Sequence, residues 1–309
     1  MEDIESFGYL ALGVPDLQRA ITYLSDVCRL AVVDQNEGMA FLTGDERHHW
    51  FRLEVRDEPE LIRLGFQAAG PDSVERLVAR LEKAGTEVAE VPADEGINGA
   101  VRFLDPNGLT LEVYPEMSVA AVRPPSAYPG LHMLLHAVVQ VPDPLASTRF
   151  YEEFLGFRRS DRIAELVVFL RAGNGYHHSI ALARGGRTKL DHVAVHVHGL
   201  DDVMRVRSHG MATGTLSDDV VRHTASGSIS VYLRDEVNDL GVEFCTQHAI
   251  IDDIDYRGRV LVPSPTTVNI WSDPFPAGEW VRDPTRVDGT RGATDAARTA
   301  IGPVPVNNS

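Results

Sequence analysis

The chain repeats one long pattern, and this duplication limits what it can fold into more than any other feature. Residues 9–30 and residues 136–157 each begin with an apolar, strand-like run, pass through Val-Pro-Asp and continue as a helical pattern. Asp16 and Asp143 stand at the helix N-cap in the two copies, and Pro144 takes the first helical position of the second copy. A solenoid repeat is much shorter, so the pattern indicates a duplicated domain.

The likeness continues in two later segments of each copy. Residues 63–85 recur as 189–210, a strand and then a helix that we expect to end at Gly85 or Gly210. Residues 103–114 recur as 232–244, a pair of strands around a turn. The sequence therefore predicts an α+β protein made of two similar domains, each with a strand, a helix and several strands.

The domain boundaries follow from composition. We expect an N-terminal domain over residues 1–116 and a C-terminal domain over residues 131–282, because the proline-rich segment 117–130 between them lacks a periodic pattern. Residues 283–309 have no hydrophobic periodicity, which predicts a disordered tail. The total of 309 residues fits two domains of about 150 residues each.

Charge and cysteine content exclude several classes of partner. With 29 basic and 45 acidic residues the formal charge is -16, which disfavours binding to nucleic acid or to an anionic membrane surface. The acidic N-terminus does not resemble a signal peptide and no apolar run is long enough to span a bilayer, so we expect a soluble cytoplasmic protein. Two cysteines are too few for a disulfide framework, whereas 12 histidines favour a nitrogen and oxygen metal site.

Candidate metal ligands appear where the two copies differ. His136 aligns with Tyr9, His192 aligns near Arg63 to Gly65, and only Glu243 has a counterpart of the same type in the first copy, Glu112. Two histidines and one carboxylate are the usual ligand set of non-haem Fe(II), because they leave adjacent coordination positions open. Each of the three residues lies in a strand-like segment, and inward-facing side chains of three strands can converge.

Other interpretations of these histidines stay open at this point. A single histidine at the start of a strand is more often a hydrogen-bonded core residue than a ligand, although a buried unpaired carboxylate such as Glu243 would be costly. His192, His196 and His198 also share one face of a strand and could form a rival site. His192 and His196 would lie about 13 Å apart at about 3.3 Å per residue, too far to share an ion.

With these residues assembled, the sequence resembles the type I extradiol catechol dioxygenases of the vicinal oxygen chelate superfamily. The resemblance covers roughly residues 5–280 and is specific over the second copy. The matching segments occur in the family's order: L-x-H at 134–136, FYEEFLGF at 150–157, FLRAGNGYHHSIAL at 169–182, LDHVAV at 190–195, RHTASGSISVYLRD at 222–235 and GVEF at 241–244.

The resemblance implies a fold and a site. The fold would be tandem βαβββ modules, each domain forming a curved, barrel-like sheet. The ligands of Fe(II), or of Mn(II), would be His136, His192 and Glu243. The resemblance gives the other site residues as follows: His178 as the acid–base group, His223 and Tyr232 as catalytic residues that contact the diol, and His248 as a further substrate contact, in a segment similar to the tail of the homoprotocatechuate-cleaving branch. His177 would face away from the site and be structural.

The implied activity is ring cleavage of a catecholic diol with both atoms of O2, next to the hydroxyl pair, in aromatic hydrocarbon catabolism. A homo-oligomer is also implied. Ala225 and Ser226 depart from the family, because many relatives carry an asparagine–aspartate pair there.

Two alternatives remain from the sequence. Isomerases and lyases of the same superfamily usually draw their metal ligands from both modules, and a ligand-binding relative without catalysis would not need His178, His223 and Tyr232 together.

Overall fold

The computed structural model describes residues 3–93, 96–122, 129–253 and 255–272. Its elements fall into two halves that correspond to the two sequence copies. In the first half they are β1 (Ile4–Val14), α1 (Leu17–Thr22, continued by a π-helical turn over Tyr23–Val27), β2 (Ala31–Gln35), β3 (Met39–Thr43), β4 (Phe51–Val55), β5 (Glu60–Ala68), α2 (Pro71–Lys83), β6 (Ala89–Glu90), β7 (Ile97–Asn98), β8 (Val101–Leu104), β9 (Thr110–Tyr114) and β10 (Glu116–Met117). In the second half they are β11 (Leu131–Val141), α3 (Pro144–Phe154), β12 (Arg158–Ile163), β13 (Val167–Arg171), β14 (Ile180–Arg184), β15 (Lys189–Val197), α4 (Leu200–Thr213), β16 (Leu216–Arg222), β17 (Ile229–Asp235), β18 (Leu240–Thr246), β19 (Arg259–Leu261) and α5 (Pro265–Val268).

Each half is built on one large mixed sheet. The strand order is β2-β3-β4-β1-β5-β9-β8-β6 in the first sheet and β16-β17-β18-β15-β11-β14-β13-β12-β19 in the second. In each sheet two strand–helix–three-strand units meet back to back, through the antiparallel pairs β1/β5 and β11/β15. The predicted α+β fold of tandem βαβββ modules is confirmed. The sheets are curved and, over the described residues, open at their edges.

The helix starts follow the sequence signals. The Asp16 side chain accepts a hydrogen bond from the Arg19 amide, and the Asp143 side chain accepts from the amides of Leu145 and Ala146. Both are N-caps, as predicted, because a carboxylate satisfies amides that the first turn leaves without partners.

One predicted helix end is right and the other is wrong. Gly85 follows α2 with φ of 80°, but α4 runs through Gly210 and ends at Gly214, with φ of 70°. Gly210 is a packing residue instead, since a Cβ there would lie 2.3 Å from a methyl group of Leu233.

The two halves share one hydrophobic core. A single cluster of buried apolar side chains includes residues of both sheets, and the rings of Phe66 and Phe157 meet across it at 5.4 Å. Polar contacts join the halves as well, among them an ion pair of 2.6 Å between Arg19 Nε and Asp235 Oδ1. This packing holds the second sheet, which carries the candidate site, against the first half.

Two of the predictions concern segments outside the part of the chain that the structure describes. Residues 123–128 of the predicted linker and the whole predicted tail, 283–309, lie outside the described residues. No helix in the described part of the chain combines the length and the apolar character needed to cross a membrane.

Candidate metal centre and active site

The three predicted ligands meet on adjacent strands of the second sheet. His136 comes from β11, His192 from β15 and Glu243 from β18, which are neighbours in the order β18-β15-β11. Glu243 Oε2 lies 3.2 Å from His136 Nε2 and 3.1 Å from His192 Nε2. One ligand atom of each residue lies within 4.8 Å of the others, so the three side chains could hold one metal ion.

The state of these atoms fits a metal ion. The side chains of His136 and Glu243 are each 2% exposed, and Glu243 Oε1 and His136 Nδ1 have no hydrogen-bond partner among the described residues. Burial alone would raise the pKa of Glu243, but hydrogen bonds from His136 and His192 hold it well below its usual value. A buried anion facing two imidazole nitrogens is the donor set that Fe(II) and Mn(II) accept.

His192 is oriented by residues that sequence reasoning missed. Asp191 Oδ1 lies 2.8 Å from His192 Nδ1, and Gln140 Nε2 donates to Asp191 Oδ2 at 2.8 Å. Burial opposes protonation of His192, yet the hydrogen bonds to Asp191 and Glu243 outweigh it and raise its pKa to about 9. A carboxylate behind a ligating histidine is a common supporting arrangement. The available signal was the position of Asp191 directly before His192.

His178 and His248 lie beside His136. The His178 ring centroid is 4.0 Å from that of His136 and 4.7 Å from that of His248. Burial holds the pKa of both His178 and His248 well below its usual value, so both are neutral near pH 7. Neither ring nitrogen of His248 has a hydrogen-bond partner in the described structure. These three histidines form a second group that could hold a metal ion, and it shares His136 with the first.

His223 and Tyr232 form a hydrogen-bonded pair. His223 Nδ1 lies 2.8 Å from the carbonyl oxygen of Val268, and His223 Nε2 lies 2.7 Å from the Tyr232 hydroxyl. A carbonyl only accepts, so neutral His223 carries its proton on Nδ1 and accepts at Nε2 from the tyrosine. Burial lowers the pKa of His223 and raises that of Tyr232 well above its usual value, so both are neutral near pH 7.

A cavity of about 140 Å³ connects these groups. Its polar lining includes the three candidate ligands, and its other walls are largely apolar. Besides the ligands the lining residues are Val138, Ile163, Val167, Phe169, His178, Ala183, Asp191, His223, Ala225, Ser226, Ser228, Tyr232, Thr267 and Val268. All six side chains predicted to bind metal or to act in catalysis therefore line the cavity. His248 is not among the lining residues, and its ring contacts those of His178 and His136 instead.

Two other histidines differ in their surroundings. His177 is 1% exposed, does not line the cavity and lies between His178 and Asp161, so it contacts the predicted acid–base residue from outside the cavity. His196 pairs with His132, with 3.1 Å between their Nδ1 atoms. Within the described residues neither metal-binding group includes His196, so the rival site on that strand is not formed.

The first half has a counterpart of the ligand set that holds no histidine. The register of β1, β5 and β9 places Tyr9, Arg63 and Glu112 where the second half has His136, His192 and Glu243. Tyr9 donates to Glu112 Oε1 at 2.7 Å, and Arg63 Nε lies 3.4 Å from Glu112 Oε2. A guanidinium thus lies where the second half has its candidate metal ligands.

The duplicated fold and the candidate two-histidine, one-carboxylate group are those of the vicinal oxygen chelate class. A model of the Glyoxalase/Bleomycin resistance protein/Dioxygenase superfamily matches residues 6–113 and 133–243. The chain belongs to this superfamily, and the family predicted from the motifs is confirmed.

Individual relatives are similar over most of the chain. A biphenyl-2,3-diol 1,2-dioxygenase of Metapseudomonas furukawaii is 28% identical over 252 residues, which cover 74% of this chain and 82% of the relative. A manganese-dependent 2,3-dihydroxybiphenyl 1,2-dioxygenase of Geobacillus genomosp. 3 is 24% identical over 289 residues, which cover 82% of this chain and 89% of the relative. The crystal structure of a Mn(II)-bound glyoxalase from Novosphingobium aromaticivorans is similar with a TM-score of 0.81 and 27% identity, over 88% of this chain and 92% of that one.

Proposed function

We propose that this protein is an extradiol dioxygenase that cleaves a catecholic ring next to its hydroxyl pair with O2, using Fe(II) or Mn(II). The observation that supports it most is the joint placement of a two-histidine, one-carboxylate group with His178, His223 and Tyr232 around one cavity. The relatives named as dioxygenases of dihydroxybiphenyl support the same reaction class.

The chain's own residues would divide the work as follows. When bound by His136, His192 and Glu243, a divalent ion supplies Lewis acidity toward the diol oxygens and an electron path from the diol to dioxygen. Tyr232, whose hydroxyl proton is directed to His223, can accept a hydrogen bond from the diol and so orient it. Neutral His178 can take a proton and return it beside the ligand His136.

The cavity supports an uncharged substrate. Among the described residues that line it there is neither lysine nor arginine, and the one lining carboxylate outside the ligand set is Asp191. A substrate carboxylate would find no cation to pair with, whereas an apolar ring substituent would pack against Ile163, Val167 and Phe169. We therefore propose catechol, or a catechol with an apolar substituent, in preference to a carboxylated diol.

A second candidate function is metal-dependent isomerisation, since one similar structure is that of a glyoxalase. The first half argues against it. Tyr9, Arg63 and Glu112 satisfy one another, so they offer no ligand to a shared metal ion. Glyoxalase-type activity toward a hemithioacetal, with no oxygen consumed, would favour this candidate.

The test is oxygen uptake by protein loaded anaerobically with Fe(II) or with Mn(II), mixed with catechol, 2,3-dihydroxybiphenyl and protocatechuate. We expect consumption of O2 and a yellow ring-fission product with the two uncharged diols. His136→Ala and Glu243→Ala should lose bound metal and activity. His132→Ala, at an exposed position of the same strand, should keep both.

Retained metal and activity in the His136 and Glu243 variants would refute the ligand assignment. The comparison of the two loaded forms decides between Fe(II) and Mn(II). The cytoplasmic localisation and the homo-oligomeric state of the protein remain predictions.

A further inference from the structure

We propose that Asp161 and His177 are positioning residues that fix the ring of His178 in one tautomer, with the proton on Nδ1 and a free lone pair on Nε2 at the cavity. The inference concerns His178 as the acid–base group and therefore rests on the proposed function. It assigns a task to two buried residues of the second half that the metal centre itself does not use.

The three side chains form a continuous chain of short contacts. His178 Nδ1 lies 3.0 Å from His177 Nδ1, and His177 Nε2 lies 2.9 Å from Asp161 Oδ2. The exposed fraction of these residues is 5% for His178, 1% for His177 and 0% for Asp161. Buried polar groups this close are hydrogen-bonded, so each contact must have one donor and one acceptor.

Asp161, at the far end of this hydrogen-bonded series, determines which atom donates in each hydrogen bond. Asp161 accepts from the backbone amide of Arg259 at 2.6 Å, from its guanidinium, and from the Tyr256 hydroxyl at 3.1 Å. Burial alone would raise the pKa of Asp161, but the hydrogen bonds from His177 and Arg259 outweigh it and lower the pKa to about 2. Asp161 is therefore ionised and can only accept, which requires a proton on His177 Nε2.

Charge balance then fixes the remaining proton. The guanidinium of Arg259 already compensates Asp161, so a second positive charge, on buried His177, would leave this group of side chains with a net positive charge. Neutral His177 with its proton on Nε2 accepts at Nδ1. His178 must donate there, and its Nε2 keeps the lone pair.

This tautomer determines how His178 enters the reaction. His178 lines the cavity and its Nδ1 is engaged with His177, so Nε2 is the ring nitrogen left for a substrate. Nε2 can accept one proton from the substrate and give that proton back later, and the Asp161–His177 pair stabilises the cation formed in between. In the opposite tautomer Nε2 would already carry a proton and could not act as the acceptor.

Arg259 links the hydrogen-bonded series of Asp161, His177 and His178 to the segment that follows β18. Arg259 begins β19, which pairs in parallel with β12 opposite Asp161. The same guanidinium donates to the carbonyl oxygen of Ala225 at 2.7 Å. The guanidinium of Arg259 thus connects β19 with the carboxylate that accepts from His177 and with the cavity-lining residue Ala225.

The first half provides a matched control. His48 and His49 form the same kind of adjacent pair, also with 3.0 Å between their Nδ1 atoms, away from the candidate metal centre. Replacing His48 therefore removes a His–His contact of the same geometry without touching the proposed catalytic groups.

The direct test is the ring ¹⁵N spectrum of the full-length protein loaded with diamagnetic Zn(II), with His178 assigned by comparison with His178→Ala. Zn(II) is suitable because it accepts imidazole and carboxylate ligands. We expect a protonated Nδ1 and an unprotonated Nε2 on His178. The opposite tautomer, or a doubly protonated His177, would overturn the inference, whatever reaction the protein catalyses.

A kinetic test separates positioning from a structural role. His177→Leu offers His178 no acceptor, whereas His177→Asn carries its amide oxygen close to the former position of Nδ1. We expect kcat to fall by about tenfold to a hundredfold in the leucine variant, part of the usual contribution of acid–base catalysis, and to recover largely in the asparagine variant. The KM for the diol and the bound metal should be unchanged, and His48→Leu should retain the wild-type kcat.

The two failures are distinguishable. If the wild-type protein cleaves no diol, the proposed function fails while the spectrum still decides the tautomer. Equal kcat in the leucine variant and the wild type would refute the positioning role and leave the proposed function intact.

Discussion

His192 lies between two carboxylates, and its protonation should control metal affinity. Its pKa is raised to about 9, since the hydrogen bonds to Asp191 and Glu243 outweigh burial. In metal-free protein this proton stabilises the fold fully below about pH 6.5, the usual histidine pKa, and the stabilisation is lost as the pH rises through about 9.

A metal ion that binds His192 must displace the same proton. Binding should therefore tighten up to tenfold per pH unit, or about 1.4 kcal/mol, between these values.

Calorimetric titration of chelator-treated protein with Mn(II) at several pH values measures this dependence. Buffers of different ionisation enthalpy should also reveal the release of about one proton per ion bound. Asp191→Asn removes a hydrogen bond that raises the pKa of His192, so it should flatten the dependence. Affinity that does not change with pH in the wild-type protein would contradict the prediction.

The Tyr232 hydroxyl should matter for diol binding more than for metal binding. It donates to His223 Nε2, and its ring contacts the His192 ring edge-on at 5.3 Å. Tyr232→Phe keeps the ring and removes the hydroxyl, so we expect the anaerobic dissociation constant for catechol to rise by about fivefold to tenfold, the usual effect of one hydrogen bond. Bound metal should not change.

Tyr114→Phe is the matched control for that substitution. Its hydroxyl is buried in the first half and makes no hydrogen bond to the described residues. Wild-type binding of catechol by Tyr232→Phe would show that the hydroxyl does not contact the diol.

At the residue scale the sequence indicated three candidate ligands that the structure brings together, but not the residues around them. His136 departs from the first copy, which has Tyr9 at that position, and Glu243 is a charged residue within an apolar strand. Asp161 and Arg259 could not be predicted, because the residues that surround His177 come from strands whose pairing is decided only in the folded sheet. The roles of the predicted catalytic residues stay predictions.

At the scale of elements, the junction between β18 and the following segment places His248 beside the candidate ligand His136. Glu243 and Cys245 follow the strand alternation, and then Gln247 adopts φ of 57°, in the left-handed region. That turn directs His248 to the inside, where its ring lies 5.5 Å from the His136 ring. A non-glycine residue in this conformation is strained, so the junction is a sensitive point of the fold.

Substitutions at Gln247 should expose this strain. A β-branched residue fits the left-handed region poorly, so Gln247→Val should lower the free energy of unfolding by about 1–2 kcal/mol. Gln247→Gly should be nearly neutral, since glycine adopts this φ readily but gains entropy in the unfolded chain. Urea unfolding of the metal-loaded proteins measures both, and equal stability of the two variants would contradict the assignment of strain.

The element boundaries show where local signals suffice. The N-caps at Asp16 and Asp143 could be predicted because capping depends on a few adjacent residues. The end of α4 could not, because Gly210 is small for packing against Leu233 rather than for its backbone conformation, and only Gly214 adopts positive φ. A glycine in a sequence does not reveal which of these two requirements it meets.

At the scale of the whole molecule, the predicted duplication is one of two levels. Each half is itself two βαβββ units joined through their first strands, so the described residues contain four such units. The long repeat was visible because Val-Pro-Asp and the helix that follows it recur. The shorter repeat is not visible in the sequence, because its units share a pattern of strand pairing. That pattern depends on side-chain alternation and long-range register rather than on residue identity.

The first half should depend on Arg63 for stability. Arg63 and Glu112 have side chains 6% and 2% exposed, and Arg63 Nε also lies 2.6 Å from the Tyr9 hydroxyl. Arg63→Met would leave the buried carboxylate with its partly exposed partner Arg102 and with Tyr9. Removing one member of a buried ion pair costs about 3–5 kcal/mol, and we expect the lower end because Arg102 remains.

Denaturant unfolding of Arg63→Met and of the double variant with Glu112→Leu tests this balance. The double variant should regain part of the loss, since it no longer buries an unpaired charge. Arg207→Met breaks a solvent-exposed pair with Asp219 and should cost at most about 1 kcal/mol. Metal content should stay at the wild-type level in every case, because the candidate ligands lie in the other half. Loss of metal in Arg63→Met would instead mean that the guanidinium cluster supports the metal centre through the shared core, and that the halves are not independent in this respect.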